Sequence, residues 1–178
     1  MIDDFIERTI RYSKQHSCFY HFTDRQNLHS IRQLGGILCT KALRARGIDI
    51  PRPGGNDVSM DADERFGVDA YVHLCFTSGH PMVSHAVSAG RITDIVWLRI
   101  DPTILLIQNV MITNEVANKR GVILNQAATA LAELDLEVIY TRTNWSDPVI
   151  NKRLQAADKY EVLVPNIVPL EYVRNPNG

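Results

Sequence analysis

The chain has 178 residues, a formal net charge of -1, 45% hydrophobic residues and 22% charged residues. This length predicts one domain, residues 1–178, and the composition of a globular protein excludes disorder for most of the chain. Apolar runs such as residues 104–107 are far shorter than the roughly 20 residues of a membrane helix. The acidic, amphipathic start differs from the basic and then apolar pattern of a secretory signal, so we expect a cytoplasmic protein without membrane association.

The cysteine pattern favours neither a disulfide framework nor a zinc site. Cys18, Cys39 and Cys75 are odd in number and form no CxxC or CxxH pair, so they are predicted to be reduced core residues. We expect no metal. The near-neutral charge is atypical of a general nucleic-acid coat protein, although it leaves room for a local basic patch.

The hydrophobic pattern predicts several short strands interleaved with helices. Helices are predicted over residues 2–14, 27–34, 80–89, 122–134 and 145–157, and strands over residues 18–22, 71–76, 94–100, 109–112, 136–140, 160–165 and 170–174. Residues 40–69 are polar and rich in proline and glycine, so they are predicted to contain little regular structure, as functional loops often do. Strands outnumber long helical crossovers, which favours an α+β fold with an antiparallel or mixed sheet.

Familiar catalytic and phosphate-binding motifs are missing from the sequence. It contains no GxGxxG, GxxxxGK[ST], GxSxG or HExxH pattern. His80 and His85 are close in sequence, but their spacing of five does not place them well on one helical face for a metal.

Three features remain as candidates for chemistry, each with a structural alternative. His21 and Thr23 end a predicted strand and could bind an amide or ribose, although a core histidine and an N-cap threonine are the favoured roles on sequence alone. Arg65 could clamp a phosphate or form a surface ion pair. Glu161 is a charged residue in an apolar strand, and it lies either at a strand edge or in a cleft where burial would perturb its pKa.

The order of four segments is more specific than any one of them. The chain contains FYHFTDRQNLHSIRQLGGIL, then PGGN, then YVHLCFTSGHPM, then WSDPVINKRLQAADKYEVLVP. In this order it resembles the DarT family of DNA ADP-ribosyltransferase toxins over residues 18–173. The resemblance implies an ADP-ribosyltransferase-like α+β fold with a split, twisted antiparallel β core and flanking helices. It also implies that ADP-ribose passes from the substrate NAD+ to thymine or guanine in single-stranded DNA, with a macrodomain antitoxin (DarG-like) as partner of the toxin.

The resemblance also assigns site residues. It implies a catalytic role for Glu161, with Arg65 holding the NAD phosphates and orienting the base. It implies that NAD is bound by His21, Thr23, Asn27, Arg65 and Tyr71. The chain departs from the family in reading SGHPM with His80, where some members have an arginine, and in having Asn125 near the place of a family histidine. These departures leave the modified base open.

A DNA-binding groove is predicted from basic and aromatic residues around the cleft: Lys41, Arg44, Arg46, Arg52, Arg142, Trp145 and Arg153. A solvated loop explains the basic residues of the polar middle equally well, and a tryptophan at a helix start is more often a packing residue. The resemblance further implies that residues 141–147, the loop ahead of the catalytic glutamate, select the substrate.

Two other functions remain open. The same NAD site could modify RNA, a protein or a small molecule, or the chain could be a non-catalytic nucleotide-binding module. The combination of His21, Arg65, Tyr71 and Glu161 argues against the module, because binding alone does not need the glutamate.

Overall fold

A computed structural model describes residues 2–178 and has an α+β fold. The strands are β1 (Phe19–Asp24), β2 (Gly36–Leu38), β3 (Tyr71–Cys75), β4 (Ile95–Ile100), β5 (Met111–Thr113), β6 (Asn125–Gln126), β7 (Glu161–Pro165) and β8 (Ile167–Pro169). The helices are α1 (Ile2–Phe5), α2 (Leu28–Gln33), α3 (Thr40–Ala45), α4 (Asp57–Phe66), α5 (Pro81–Ser88), α6 (Ala127–Glu133), α7 (Glu137–Tyr140) and α8 (Pro148–Ala157). A π-helical segment, Ile6–Ile10, continues α1, and 3-10 turns form at Arg25–Asn27, Pro102–Leu106 and Leu170–Tyr172.

The main sheet is antiparallel and split in its middle. Its strand order is β4-β1-β3-β7-β5-β6, and β2 and β8 form a separate two-stranded sheet. β1 pairs with β4 over its whole length, but it pairs with β3 only at Tyr20 and Cys75. Beyond that pair the two strands diverge, and the cleft described below lies in the gap. This arrangement confirms the predicted α+β fold with a split antiparallel core.

Strand alternation separates the core from the cleft. In β3, Val72 and Leu74 are buried in the main hydrophobic cluster, whereas Tyr71 and His73 point to the other face. In β7, Val162 and Val164 pack in the same cluster and Glu161 lies on the opposite face. The period of two therefore places the polar side chains of both strands on the cleft side.

Two predicted strands are wrong. Residues 136–140 form helix α7, and residues 170–174 contain a 3-10 turn that follows the true strand β8. Short apolar runs do not show by their period whether they form strand or helix, since one turn of helix and four residues of strand bury similar side chains.

The predicted lack of structure over residues 40–69 is also wrong, because helices α3 and α4 lie within it. Each has a side-chain N-cap: the Cys39 Sγ accepts from the Ala42 N–H at 3.4 Å, and the Asn56 Oδ1 accepts from the Ser59 N–H at 2.9 Å. Such caps satisfy N–H groups that the first helical turn leaves unbonded. Residues 46–56 between the helices and residues 67–69 after α4 are irregular.

All three cysteines are buried, as predicted for core residues. None of the helices in residues 2–178 has the length and apolar character that a membrane crossing needs.

Asp24 fixes the end of β1 and gives a test of the fold. Its carboxylate is 0% exposed and accepts hydrogen bonds from the backbone N–H groups of Gln26 (3.0 Å), Thr93 (2.8 Å) and Asp94 (3.1 Å). We expect Asp24→Ala to lower the free energy of unfolding by about 1–3 kcal/mol, because buried donors lose their acceptor. Urea denaturation measures this, with Asp4→Ala, an exposed carboxylate, as control. Equal stability of the two variants would contradict the structural role of Asp24.

Candidate active site

A cleft of about 230 Å³ lies where β1 and β3 diverge. Its walls come from β1, β2, β3 and β7, from α2, α3, α4 and α5, and from the loop of residues 46–56. His21, Thr23, Tyr71 and Glu161, all predicted as site residues, line this one cleft. The sequence therefore identified residues from three strands that the fold brings together.

Glu161 is the first residue of β7, and its carboxylate is buried at the cleft, with the residue 3% exposed. Oε2 accepts hydrogen bonds from the His73 Nδ1 at 3.0 Å and from the Ala117 N–H at 3.1 Å. The His80 Nε2 lies 3.0 Å from Oε1 without meeting hydrogen-bond geometry. Groups from three separate elements thus surround both oxygens of one carboxylate.

The contacts of His73 favour its charged form. Its second nitrogen, Nε2, lies 3.1 Å from the Val68 carbonyl, so both ring nitrogens face acceptors and both carry protons. Burial opposes the imidazolium, but the neighbouring Glu161 carboxylate outweighs burial and raises the pKa of His73 to about 9. Burial likewise opposes the carboxylate, but His73 and then His80 lower the pKa of Glu161 to about 2. Glu161 is therefore an anion at neutral pH.

A tight turn between β3 and α5 positions His80. The Thr77 hydroxyl donates to Asp158 at the end of α8, and the Gly79 N–H donates to the Thr77 hydroxyl at 3.2 Å. A Cβ at Gly79 would lie 2.8 Å from the Asp158 carboxylate, so a larger residue would have to displace that side chain from its contact with Thr77. The His80 Nδ1 accepts the Met82 N–H at 3.3 Å, which leaves the ring proton on Nε2, facing Glu161.

His21 and Thr23 share the cleft face of β1. The His21 Nδ1 donates to the His73 carbonyl at 3.1 Å, and burial, the largest influence, lowers the pKa of His21. His21 is therefore neutral, with Nε2 available as an acceptor for a ligand. Thr23 is buried, and its hydroxyl accepts from the Asn27 Nδ2 at 3.0 Å.

Asn27 lines the cleft, but its amide is committed to the loop of residues 46–56. Its Nδ2 donates to the Arg52 carbonyl at 2.6 Å, and its Oδ1 accepts the Arg52 N–H at 2.9 Å. Arg91 holds the same loop by donating to the Gly54 carbonyl at 2.9 Å. Asn27 thus fixes a wall of the cleft, in addition to facing it.

Arg65 is not brought to the cleft. Helix α4 presents Ser59, Met60 and Asp63 to the cavity, and Arg65 follows Asp63 by two residues, about 200° around the helix. Its side chain is exposed. The reason is that residues 57–66 form helix α4 instead of the predicted loop, and the helical period directs Arg65 away from the cleft. The geometry thus corrects the predicted phosphate-binding position of Arg65.

Ion pairs occupy two of the predicted DNA-binding residues. Arg153 donates to Asp135 and Glu137 at 2.6 and 2.7 Å, and Arg44 pairs with Glu64 at 3.0 Å. Three others are exposed and form no ion pair within the described part of the chain: Lys41, Arg46 and Arg142. Arg52 is half-buried beside the cleft, and Trp145 is 42% exposed ahead of α8.

Sequence reasoning missed His73, Asp63 and the role of His80. Strand alternation held a signal for His73, because it lies two residues after Tyr71 and so shares its face. His80 stood out only as a departure from the family. No group of three or more His, Cys, Asp or Glu side chains in residues 2–178 is arranged to hold a metal ion.

A family model described as ssDNA thymidine ADP-ribosyltransferase, DarT, matches residues 20–175. No curated protein matches the chain by sequence.

Solved structures share the fold at low identity. Thermus sp. 2.9 DarT in complex with ADP-ribosylated ssDNA aligns with a TM-score of 0.66 and 18% identity over 90% of this chain and 82% of that chain. The same protein in complex with NAD+ aligns with a TM-score of 0.58 and 20% identity over 87% and 78%. Thermosipho africanus DarTG in complex with ADP-ribose aligns with a TM-score of 0.63 and 18% identity, covering 88% of this chain and 42% of that longer one.

The paired charges of His73 and Glu161 predict a titration shift. In Glu161→Gln the strongest influence that opposes burial is lost, while the smaller upward influences of Asp63 and the Val68 carbonyl remain, so we expect the pKa of His73 to fall clearly below about 9. NMR titration of the imidazole protons measures it, with His73→Asn to assign the signal. An unchanged midpoint would show that the two groups do not interact.

The same shift fixes the sign of a stability change. Because the pKa of folded His73 lies above its unfolded value, its contribution to stability is complete below about pH 6.5 and is lost as the pH rises through about 9.

Proposed function

Because the chain belongs to the DarT family of ssDNA thymidine ADP-ribosyltransferases, we propose that it transfers ADP-ribose from NAD+ to thymine in single-stranded DNA, with Glu161 as the catalytic residue. The observation that carries the residue assignment is the buried Glu161 carboxylate, held as an anion in the split of the sheet. A fixed negative charge suits this reaction. Cleavage of the bond between nicotinamide and ribose leaves an oxocarbenium-like C1″, which a neighbouring carboxylate stabilises.

The cleft residues supply complementary contacts for NAD+. Neutral His21 offers the Nε2 lone pair as acceptor for a ribose hydroxyl, and Tyr71 offers a ring that can stack on nicotinamide and exclude water. Water exclusion matters because water competes with the base for the reactive C1″. Thr23 and Asn27 form part of the same surface and hold each other in place through their hydrogen bond.

Arg52 replaces Arg65 as our candidate for the NAD phosphates. Asn27 holds its backbone on both sides, its neighbours Pro53 and Gly54 line the cleft, and its guanidinium forms no ion pair with residues 2–178. A guanidinium donates paired hydrogen bonds to phosphate oxygens.

The DNA strand is proposed to approach over Lys41, Arg46 and Arg142, whose charges no acidic partner within the described residues neutralises. Trp145 is exposed and could stack a base. Arg44 and Arg153 are left out of this surface because their charges are already paired with acidic side chains.

We further propose that the enzyme acts in the cytoplasm as the toxin of a toxin–antitoxin pair. NAD+ and DNA are both present there, and the reducing conditions suit three buried free cysteines. A macrodomain antitoxin is the proposed partner, supported by the likeness to a chain named DarTG.

The activity is tested by incubating the chain with NAD+ and a mixed-sequence single-stranded oligonucleotide, followed by mass spectrometry. We expect one ADP-ribose on thymine, and a loss of about 100-fold or more in Glu161→Gln, since the lost charge acts in the transition state. Glu171→Gln, an exposed glutamate on the C-terminal 3-10 turn, is the matched control. Consumption of NAD+ without DNA modification would redirect the acceptor to RNA or protein, and intact NAD+ would favour a binding module.

The arginine assignment has its own test. We expect Arg52→Ala to weaken NAD+ binding about 10-fold or more, as loss of a charge-assisted hydrogen-bonding group does, while Arg65→Ala binds as the wild type. Isothermal titration calorimetry measures both. A larger effect at Arg65 would restore the position predicted from the sequence.

A further inference from the structure

The proposed reaction needs a proton acceptor that Glu161 is poorly placed to be. Thymine in DNA carries its one N–H at N3, and this proton must leave when N3 bonds to ribose. Glu161 already accepts two hydrogen bonds on Oε2, and His80 faces Oε1 at 3.0 Å. Its pKa of about 2 makes it a weak base.

A second carboxylate lines the same cleft. Asp63 projects from α4, one turn after Ser59, and is half-buried. Its Oδ1 accepts the Asn118 Nδ2 at 2.8 Å, and the same amide donates to the Ser59 hydroxyl at 3.2 Å. Oδ2 accepts no hydrogen bond from any residue between 2 and 178. Asp63 is thus oriented through one oxygen and has the other available.

The surroundings shift the pKa values of Asp63 and Glu161 in opposite directions. Burial, the largest influence, raises the pKa of Asp63, with further upward contributions from Glu161 and Asp69, while His73 and the Asn118 amide oppose them. Two titratable groups in one cleft with oppositely shifted pKa values are typical of a division between base and charge stabiliser.

We propose that Asp63 is the general base of the reaction, an inference that rests on the function proposed above. As the C1″–N bond to nicotinamide breaks, its electron pair leaves with neutral nicotinamide. The N3 electron pair forms the new bond to C1″, and the N3 proton moves to the Asp63 carboxylate and then to solvent. Glu161 stabilises the positive charge at C1″ throughout and accepts no proton.

The test compares nucleobases of different acidity. We expect Asp63→Asn to lower the rate of transfer to thymine by about 100-fold or more, within the range for loss of a general base. The N3–H of 5-fluorouracil is more acidic than that of thymine. With this base in the oligonucleotide, the loss of rate is expected to be about 10-fold smaller, because a more acidic N–H depends less on a general base. An altered cleft shape would affect both bases alike.

Two controls accompany this comparison. Asp61→Asn removes the same charge from an exposed position of the same helix and is expected to react as the wild type. In Asp63→Ala, added formate is expected to restore transfer by serving as an external base, and this readout stands even if Asp63→Asn is poorly folded.

The outcomes separate the two proposals. Equal losses for thymine and 5-fluorouracil together with no formate rescue, or wild-type rates in Asp63→Asn, would overturn the role of Asp63 and leave the proposed function standing. Absence of DNA modification by the wild-type chain would instead overturn the proposed function itself.

Discussion

Burying the carboxylate of Glu161 costs free energy unless polar groups surround it, and those groups come from distant parts of the chain. His73 belongs to β3, Ala117 to the loop after β5, and His80 to the turn before α5. Each must be in place for the charge to be tolerated, so the fold of these three segments and the ionisation of the site depend on one another. The Thr77–Asp158 contact and Gly79 shape the turn that positions His80, although none of these residues contacts Glu161 itself.

The split in the sheet makes the buried Glu161 carboxylate accessible to a ligand, because the cleft lies in the gap between β1 and β3. If β1 and β3 paired along their whole length, there would be no gap between the two strands for a ligand to reach His21. Pairing ends instead at Tyr20 and Cys75, and the His21 ring spans the gap to the His73 carbonyl. His73 therefore connects the two halves of the sheet through its backbone carbonyl and orients Glu161 through its side chain.

The family, the α+β class and five of the residues that line the cleft could be predicted from sequence, because strand alternation and motif order are local or nearly so. Those five residues are His21, Thr23, Asn27, Tyr71 and Glu161. Residues 136–140 could not, since a single apolar turn is ambiguous between helix and strand. Arg65 failed for a related reason: once residues 57–66 form a helix, its direction follows from the helical period, which a predicted loop does not possess. The histidine contacts that hold Glu161 as an anion, and the burial that shifts the pKa of Asp63 upward, are tertiary properties that no sequence pattern contains.

The two hydrogen bonds between Asn27 and the Arg52 backbone have a consequence for ligand affinity. A loop that orders only when its ligand arrives loses conformational entropy at that moment, and the binding constant falls accordingly. Here the loop of residues 46–56 is fastened at Arg52 and again at Gly54 by the folded protein alone. The entropy cost of ordering this loop is therefore met when the protein folds, and the cleft wall is preorganised before a dinucleotide binds.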